Sequence, residues 1–507
     1  MQRAQHLLRS STLVMLFFAI GKLTGLIRAR LISTGFGTGP EFDAFTAANQ
    51  LPEVFFTVIA GGSLAAAFIP VYSAYLNDKS TSESARLANT IITAVIVILG
   101  AISLLGALFA PWLTRVILVP DFPADQQRLT ASIMRIILIQ TTIFGISGVL
   151  SSMLNAHQHF ALPALAPLAL DIGYAVGIYF LVPSLGIHGL AWGTVVGGIL
   201  HIAIQLPALF HYRIRYRPAA AFQLAGVREI AKLMGPRIVT LGTIQIADLF
   251  IIRLASGLPP GSTSGYFYGY ALMQLPQTLF GTAIALVFFP TFAEYFNRGN
   301  IAKLKETAVS ALNIIWTLTI PAAAGLVLLG RPAIGLLLEG GQFDSASTQL
   351  VYSVLLVFSV RVVSEATLEI VARLFYARHN TRTPMFAYLG WLLVNTGLAY
   401  ALVPSYGIVG LALASTIAFT LLSAILFWLN RRDLGDLDER RLLTGVIRAL
   451  LATGGMSIVI LGIEQVINGR FLFLFIAAVT GSLTYLILNL LLGGQEIPSL
   501  LRLLRKR

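Results

Sequence analysis

Long apolar stretches follow one another along the chain, separated by short polar segments. A helix needs ~20 mostly apolar residues to cross the hydrocarbon core of a bilayer. Stretches of that length or more fall near 11–34, 43–74, 87–117, 128–155, 160–182, 187–210, 227–256, 266–295, 304–330, 347–377, 384–403, 408–430, 442–467 and 470–493. Several exceed the minimum, which permits tilt but fixes no angle. The second stretch holds Pro52 and the pair Gly61-Gly62, and predicts a bent or broken helix.

Composition supports lipid as the surrounding medium. Of 507 residues, 56% are hydrophobic and 11% charged, where a soluble domain carries about 25% charged residues. The net charge of +13 does not point to nucleic acid, because the basic residues sit in short clusters between apolar runs. There is no cysteine, which excludes disulfides, thiol nucleophiles and cysteine-ligated zinc. The first apolar run holds charged residues and ends in no A-x-A-like site, so no cleavable signal peptide is expected.

With the N-terminus inside, the even loops collect Lys and Arg (Arg213, Arg215, Arg217, Arg228 and Lys232 in one; Arg298, Lys303 and Lys305 in another), while the odd loops hold only Arg115, Arg128, Arg331 and Arg470. That asymmetry predicts a multi-pass protein with both termini cytoplasmic.

The chain also repeats itself. Residues 182–191 read VPSLGIHGLA and 403–412 read VPSYGIVGLA, an offset of 221. FIPVYSAY at 68–75 resembles FFPTFAEY at 288–295, and Gln50-Leu51-Pro52 resembles Gln274-Leu275-Pro276. Six is an even number of spans, so both copies enter from the same side. The expected fold is all-α and integral to the membrane. It has about fourteen transmembrane helices, with two parallel six-helix repeats forming N- and C-lobes around a central cavity, and two extra C-terminal helices. The corresponding segments are 1–217, 218–432 and 433–507. Two similar lobes with a site between them are a transporter architecture.

Ionisable residues inside spans cost at least ~2.5–3.5 kcal/mol at bilayer depth, so each marks a candidate site. In the first span Lys22 lies near the middle. Arg28 and Arg30 point in nearly opposite directions on a straight helix, and Arg30 can snorkel to the interface. Asp43 opens the second span, as a helix cap or the partner of a first-span cation. Asp171 in the fifth span reads as a polar contact between helices. Asp248 and Arg253 in the seventh lie on different faces; Arg253 is a candidate cavity cation or a member of an interhelical salt bridge. In the tenth span Arg361, Glu365, Glu369 and Arg373 are spaced by four, so they form one polar stripe able to pair within the helix. That stripe is either self-neutralising or linked to a proton or cation. His157 and His159 lack a third ligand for a metal, and no P-loop is present.

In order and spacing, several pieces resemble the MurJ/MviN family of lipid II flippases, within the multidrug/oligosaccharidyl-lipid/polysaccharide exporter superfamily. They are Phe36-Gly37-x-Gly with Asp43-Ala44-Phe45, Leu51-Pro52, Ala67-Phe68-Ile69-Pro70, Leu154-Asn155-Ala156, Gln205-Leu206-Pro207, Gly235-Pro236, Gly341-Gln342-Phe343, and Phe375-Tyr376-Ala377-Arg378 with Thr383-Pro384. The resemblance implies transport of an undecaprenyl-pyrophosphate-linked peptidoglycan precursor to the outer leaflet of the bacterial inner membrane. It also implies contact with membrane lipids and cell-wall synthesis proteins, and no catalytic residues, metal or cofactor.

Lys22 and Arg28 stand at family cavity-arginine positions; Phe56 and Ala271, beside Tyr270, stand where further arginines occur, and Ala29 where an acid often follows. Asn395 matches an ion-site position, while Ala399 replaces an acidic residue there. The expected substrate-binding set is Lys22, Arg28, Asp43 and Arg253. Three alternatives stay open: export of another lipid-linked glycan or of drugs, a glycan-polymerising membrane enzyme, and a non-transporting scaffold.

Overall fold

The structure is a computed structural model and describes residues 20–78, 81–212, 215–467, 469–496 and 498. In chain order its helices are α1 (20–36), α2 (Pro40–Phe55), α3 (Gly62–Asp78), α4 (Thr81–Leu108), α5 (Ala110–Leu113), α6 (Ala124–Ala156), α7 (Ala161–Val176), α8 (Val182–Leu185) and α9 (Ile187–Ala203). Then follow α10 (Leu206–His211), α11 (Ala225–Ala255), α12 (Ser262–Pro276), α13 (Ala283–Asn297), α14 (Ile301–Leu337), α15 (Ser345–Ala377), α16 (Arg382–Leu434), α17 (Glu439–Val466) and α18 (Arg470–Leu491).

Eleven helices among the described residues are long and apolar enough to cross a membrane. Local causes explain why the number differs from fourteen. The N-terminal part of the first expected span, 11–19, lies outside the described residues. Helix α15, which carries the four-charge stripe, is not among the eleven. Helix α16 has 53 residues, about 80 Å if straight, and breaks at Gly407, where φ is 56°; it covers two expected spans. Large apolar side chains face outward, Phe180 and Leu393 at 75% exposure and Ile458 at 72%, as a lipid-facing surface requires.

Helix breaks fall where the chemistry of the chain demands them, and they recur in both sequence copies. Pro52 has no N–H for the helical ladder. A π-helical turn, Phe56–Ala60, follows it, closed by the Gly61 N–H donating to the Phe56 carbonyl at 2.7 Å. The matching Pro276 is followed by the π-helical turn Gln277–Thr282. Gly186 and Gly407, 221 residues apart, both adopt φ 56°. Gln158 (φ 59°) and His379 (φ 58°) are a third such pair at the same offset. The second span is thus broken as its sequence predicts, and the duplication extends to backbone conformation.

The chain resolves into two compact units. The first runs to Ser264 and includes Gly340–Phe343; the second comprises Gly265–Glu339 and the chain from Asp344. Helix α11, which opens the second copy by sequence, lies in the first unit. That unit's core is built on α3, α4 and α6, with Phe68, Leu87, Leu99, Val149 and Leu154 buried. In the second unit α17 and α18 pack on α14 through Ala452, Met456, Ile460, Phe473 and Ala477. The Tyr485 hydroxyl donates to the Thr317 carbonyl at 2.5 Å.

Helix α7, which carries Asp171, is placed by glycines. A Cβ at Gly193 of α9 would meet the Gly173 carbonyl and the Gly177 Cα, both at 2.8 Å. The two helices cross backbone against backbone, as small residues permit in membranes. We expect Gly193→Ala to cost about 1–3 kcal/mol by overpacking and to lower the thermal unfolding midpoint in detergent. Gly454→Ala, where a Cβ meets nothing within 4 Å, should leave the midpoint unchanged or raise it.

Candidate functional site

In the first unit, α1 directs its charges in three directions. Lys22 is exposed and makes no ion pair with any described residue. Arg28 faces α7, where its Nη1 donates to Asp171 Oδ1 at 2.8 Å. The guanidinium lies 5.1 Å from the centre of the Tyr174 ring. Thr24, one turn before Arg28, donates its hydroxyl to Asp171 Oδ2 at 2.5 Å. One carboxylate therefore joins α1 to α7 through two side chains on one face of α1. Arg30 points elsewhere, and a Cβ on Gly340 would meet its Nη2 at 3.0 Å. The opposed directions of Arg28 and Arg30 follow from the helical period.

Asp43 is buried at 1% exposure. Its oxygens accept the backbone N–H groups of Gly261 at 2.6 Å and Ser264 at 2.7 Å. These are free donors at a helix start, where a carboxylate is favourable both as an acceptor and against the helix dipole. Asp43, expected in the substrate-binding set, serves in this structure as a cap supplied from 218 residues away. Arg253 donates to the carbonyls of Val116 and Ile117, at the end of the π-helical turn Thr114–Leu118. In this structure Arg253, expected as a cavity cation or an interhelical salt-bridge partner, caps that helix end.

Among the charged groups inside the spans that the sequence did not single out is Glu53. Glu53, next to Pro52 within an apolar span, is exposed and accepts the Thr57 hydroxyl at 3.2 Å. Tyr174 lies within electrostatic reach of Glu53, Arg28 and Asp171. A carboxylate among apolar neighbours was the signal that could have found Glu53. Phe56 packs edge-on against Phe144 with ring centres 5.9 Å apart.

In the second unit the α15 stripe pairs within its own helix. Arg361 is buried at 4% exposure; its Nε donates to Glu365 at 2.8 Å and its Nη1 to Ser415 Oγ at 2.7 Å. Rings of Phe419, Tyr270 and Phe358 surround the guanidinium at 3.9, 5.1 and 5.4 Å. Gln274 Nε2 donates to Glu365 at 3.1 Å. One turn on, Arg373 pairs with Glu369, which also accepts the Thr282 hydroxyl at 3.3 Å. Asn395 is buried on α16 between Trp391 and Ala399 on the same face.

Several motif residues prove to hold the fold. A Cβ at Gly37 would meet the Gln342 carbonyl carbon at 2.8 Å, and the Gln342 N–H donates to Thr34 O at 2.9 Å. Gln205 joins Ser147 and Ser151 at 2.8 and 2.9 Å. Arg378 donates to Asn430 at 2.7 Å and to the Leu374 carbonyl at 3.1 Å. His157 and His159 sit among aromatic rings against Tyr212. Burial, and then the nearby His211, hold the His159 imidazole below its ordinary basicity.

Sequence and fold comparisons decide the family. The profile described as lipid II flippase MurJ matches residues 32–480. The chain belongs to the MurJ lipid II flippase family. A probable lipid II flippase MurJ of Bdellovibrio bacteriovorus is 30% identical over 91% of this chain and 90% of that protein. The lipid II flippase MurJ of Burkholderia cenocepacia is 26% identical over 83% of each. A MurJ structure in an inward closed conformation superposes with a TM-score of 0.81 at 24% identity, covering 94% of this chain and 98% of that one. An inward-facing MATE-family multidrug transporter gives 0.72 at 14% identity, covering 83% and 96%; these two likenesses concern the fold.

Two outcomes test these assignments. Asp43→Asn leaves one of the two N–H groups without its carboxylate acceptor and should cost about 1–3 kcal/mol, read as a lower unfolding midpoint. Arg361→Met strands Glu365 in the interior and should cost about 3–5 kcal/mol. The double variant Arg361→Met/Glu365→Gln should recover a large part of that loss in a double-mutant cycle; simple additivity would count against a self-neutralising pair.

Proposed function

We propose that this protein moves a lipid-linked peptidoglycan precursor, lipid II, from the cytoplasmic to the outer leaflet of the bacterial inner membrane by alternating access. In this reading the chain crosses the membrane fourteen times, with both termini cytoplasmic. The supporting observation is membership of the MurJ family across residues 32–480. A pyrophosphate-linked sugar-peptide headgroup cannot cross hydrocarbon and needs cations to offset its charge. Lys22 and Arg28 supply them in the first unit, Lys22 exposed and Arg28 with its side chain 33% exposed. Asp43 and Arg253 support the scaffold around these groups.

The second unit's stripe keeps charge internally paired, and Asn395 is the candidate contact for a coupling ion. Membrane lipids and cell-wall synthesis proteins are the partners this role entails. A second reading, transport of a different lipid-linked glycan, draws on the aromatic and small side chains at Phe56 and Ala271 and on the carboxylate of Glu53. Phe56 and Glu53 leave the first unit, and Ala271 the second, less cationic than arginine at Phe56 and Ala271 would make them.

Complementation of a strain depleted of its own lipid II flippase separates the two. Rescue by the parent chain, lost in Lys22→Ala and Arg28→Ala at equal membrane abundance, is the outcome expected for lipid II. Failure of a well-inserted parent, with transport of another lipid-linked glycan in vesicles, would favour the second reading.

A further inference from the structure

Arg28 has five N–H donors, and a single one, on Nη1, is engaged by Asp171. The Arg28 side chain is 33% exposed, whereas that of Asp171 is 11% exposed. The carboxylate is anchored on its other oxygen by Thr24. The cation is therefore held from one side and open on another. An unpaired arginine at bilayer depth is costly, so an empty anion site in a membrane needs a resident counter-charge. A resident counter-charge also repels an arriving anion that shares the same guanidinium. Carboxylate and phosphate oxygens bind a guanidinium with the same geometry, so one can replace the other.

We infer that Asp171 is an intramolecular stand-in for the phosphate of the cargo. It neutralises Arg28 while the unit is empty. It yields the guanidinium when a pyrophosphate group arrives and reclaims it when the cargo leaves. Thr24 keeps the carboxylate within reach throughout. Asp171 is thus a positioning and affinity-setting residue that acts through Arg28, and it makes release as important as capture. This inference rests on the pyrophosphate-lipid reading above.

The test uses the full chain in nanodiscs of uncharged lipid, with undecaprenyl pyrophosphate as probe and undecaprenol as the neutral control. Asp171→Asn keeps the shape and an acceptor oxygen for Arg28 but removes the charge. It should bind the pyrophosphate lipid about tenfold more tightly, an effect of ~1.4 kcal/mol, and should transport it more slowly because release is delayed. Asp171→Glu, which retains the charge, should not gain affinity, and undecaprenol binding should not change in either variant. If the Asn variant fails to insert, Asp171→Ser removes the same charge and takes the same test.

Unchanged or weaker pyrophosphate binding in a folded neutral variant overturns the inference and leaves the functional reading intact. A parent that does not distinguish undecaprenyl pyrophosphate from undecaprenol overturns both.

Discussion

Inside a bilayer no water stands ready to solvate a charge or an unpaired backbone group, so the protein must supply every partner itself. Arg361 shows the constraint at its fullest: a buried guanidinium with a carboxylate, a hydroxyl and three aromatic rings around it. Asp43 shows it from the other side, as a buried carboxylate filled by two backbone donors. Arg253 closes carbonyls left open by a π-helical turn. These are three solutions to one problem, and each fixes where a helix begins, ends or packs.

The same constraint explains why motif residues are mostly structural. Gly37 is required by a close backbone approach to residue 342. Gln205 satisfies two serine hydroxyl groups in an apolar interior, and Arg378 closes the end of α15 on Asn430. None of them needs to touch a cargo to be indispensable. Family resemblance carried by such residues therefore speaks first to architecture.

What the sequence made legible was local. Span positions, the break after Pro52 and the 221-residue repeat follow from apolar length, proline chemistry and direct similarity. The Arg361–Glu365 and Glu369–Arg373 pairs follow from a spacing of four. The partners of Asp43, Arg253 and Arg28 did not follow, because they lie 218, 137 and 143 residues away. No helical period relates residues on different elements, so only packing could bring these groups together. Glu53 was hidden differently, since one carboxylate in a long apolar run barely alters the average that defines a span.

Pairing also bears on energetics across an energised membrane. Arg28 with Asp171, and the two pairs of α15, each move as neutral units if their helices shift, so the membrane potential does little work on them. A dianionic headgroup is different: each charge moved across 100 mV is worth about 2.3 kcal/mol. With the cytoplasmic side negative, outward movement of such a cargo runs downhill in the field. Where intramembrane charges are paired in this way, that work falls to the cargo. The direction of transport is then favoured by the charge on the headgroup, and the exposed Lys22 is the α1 cation whose movement would add to or subtract from it.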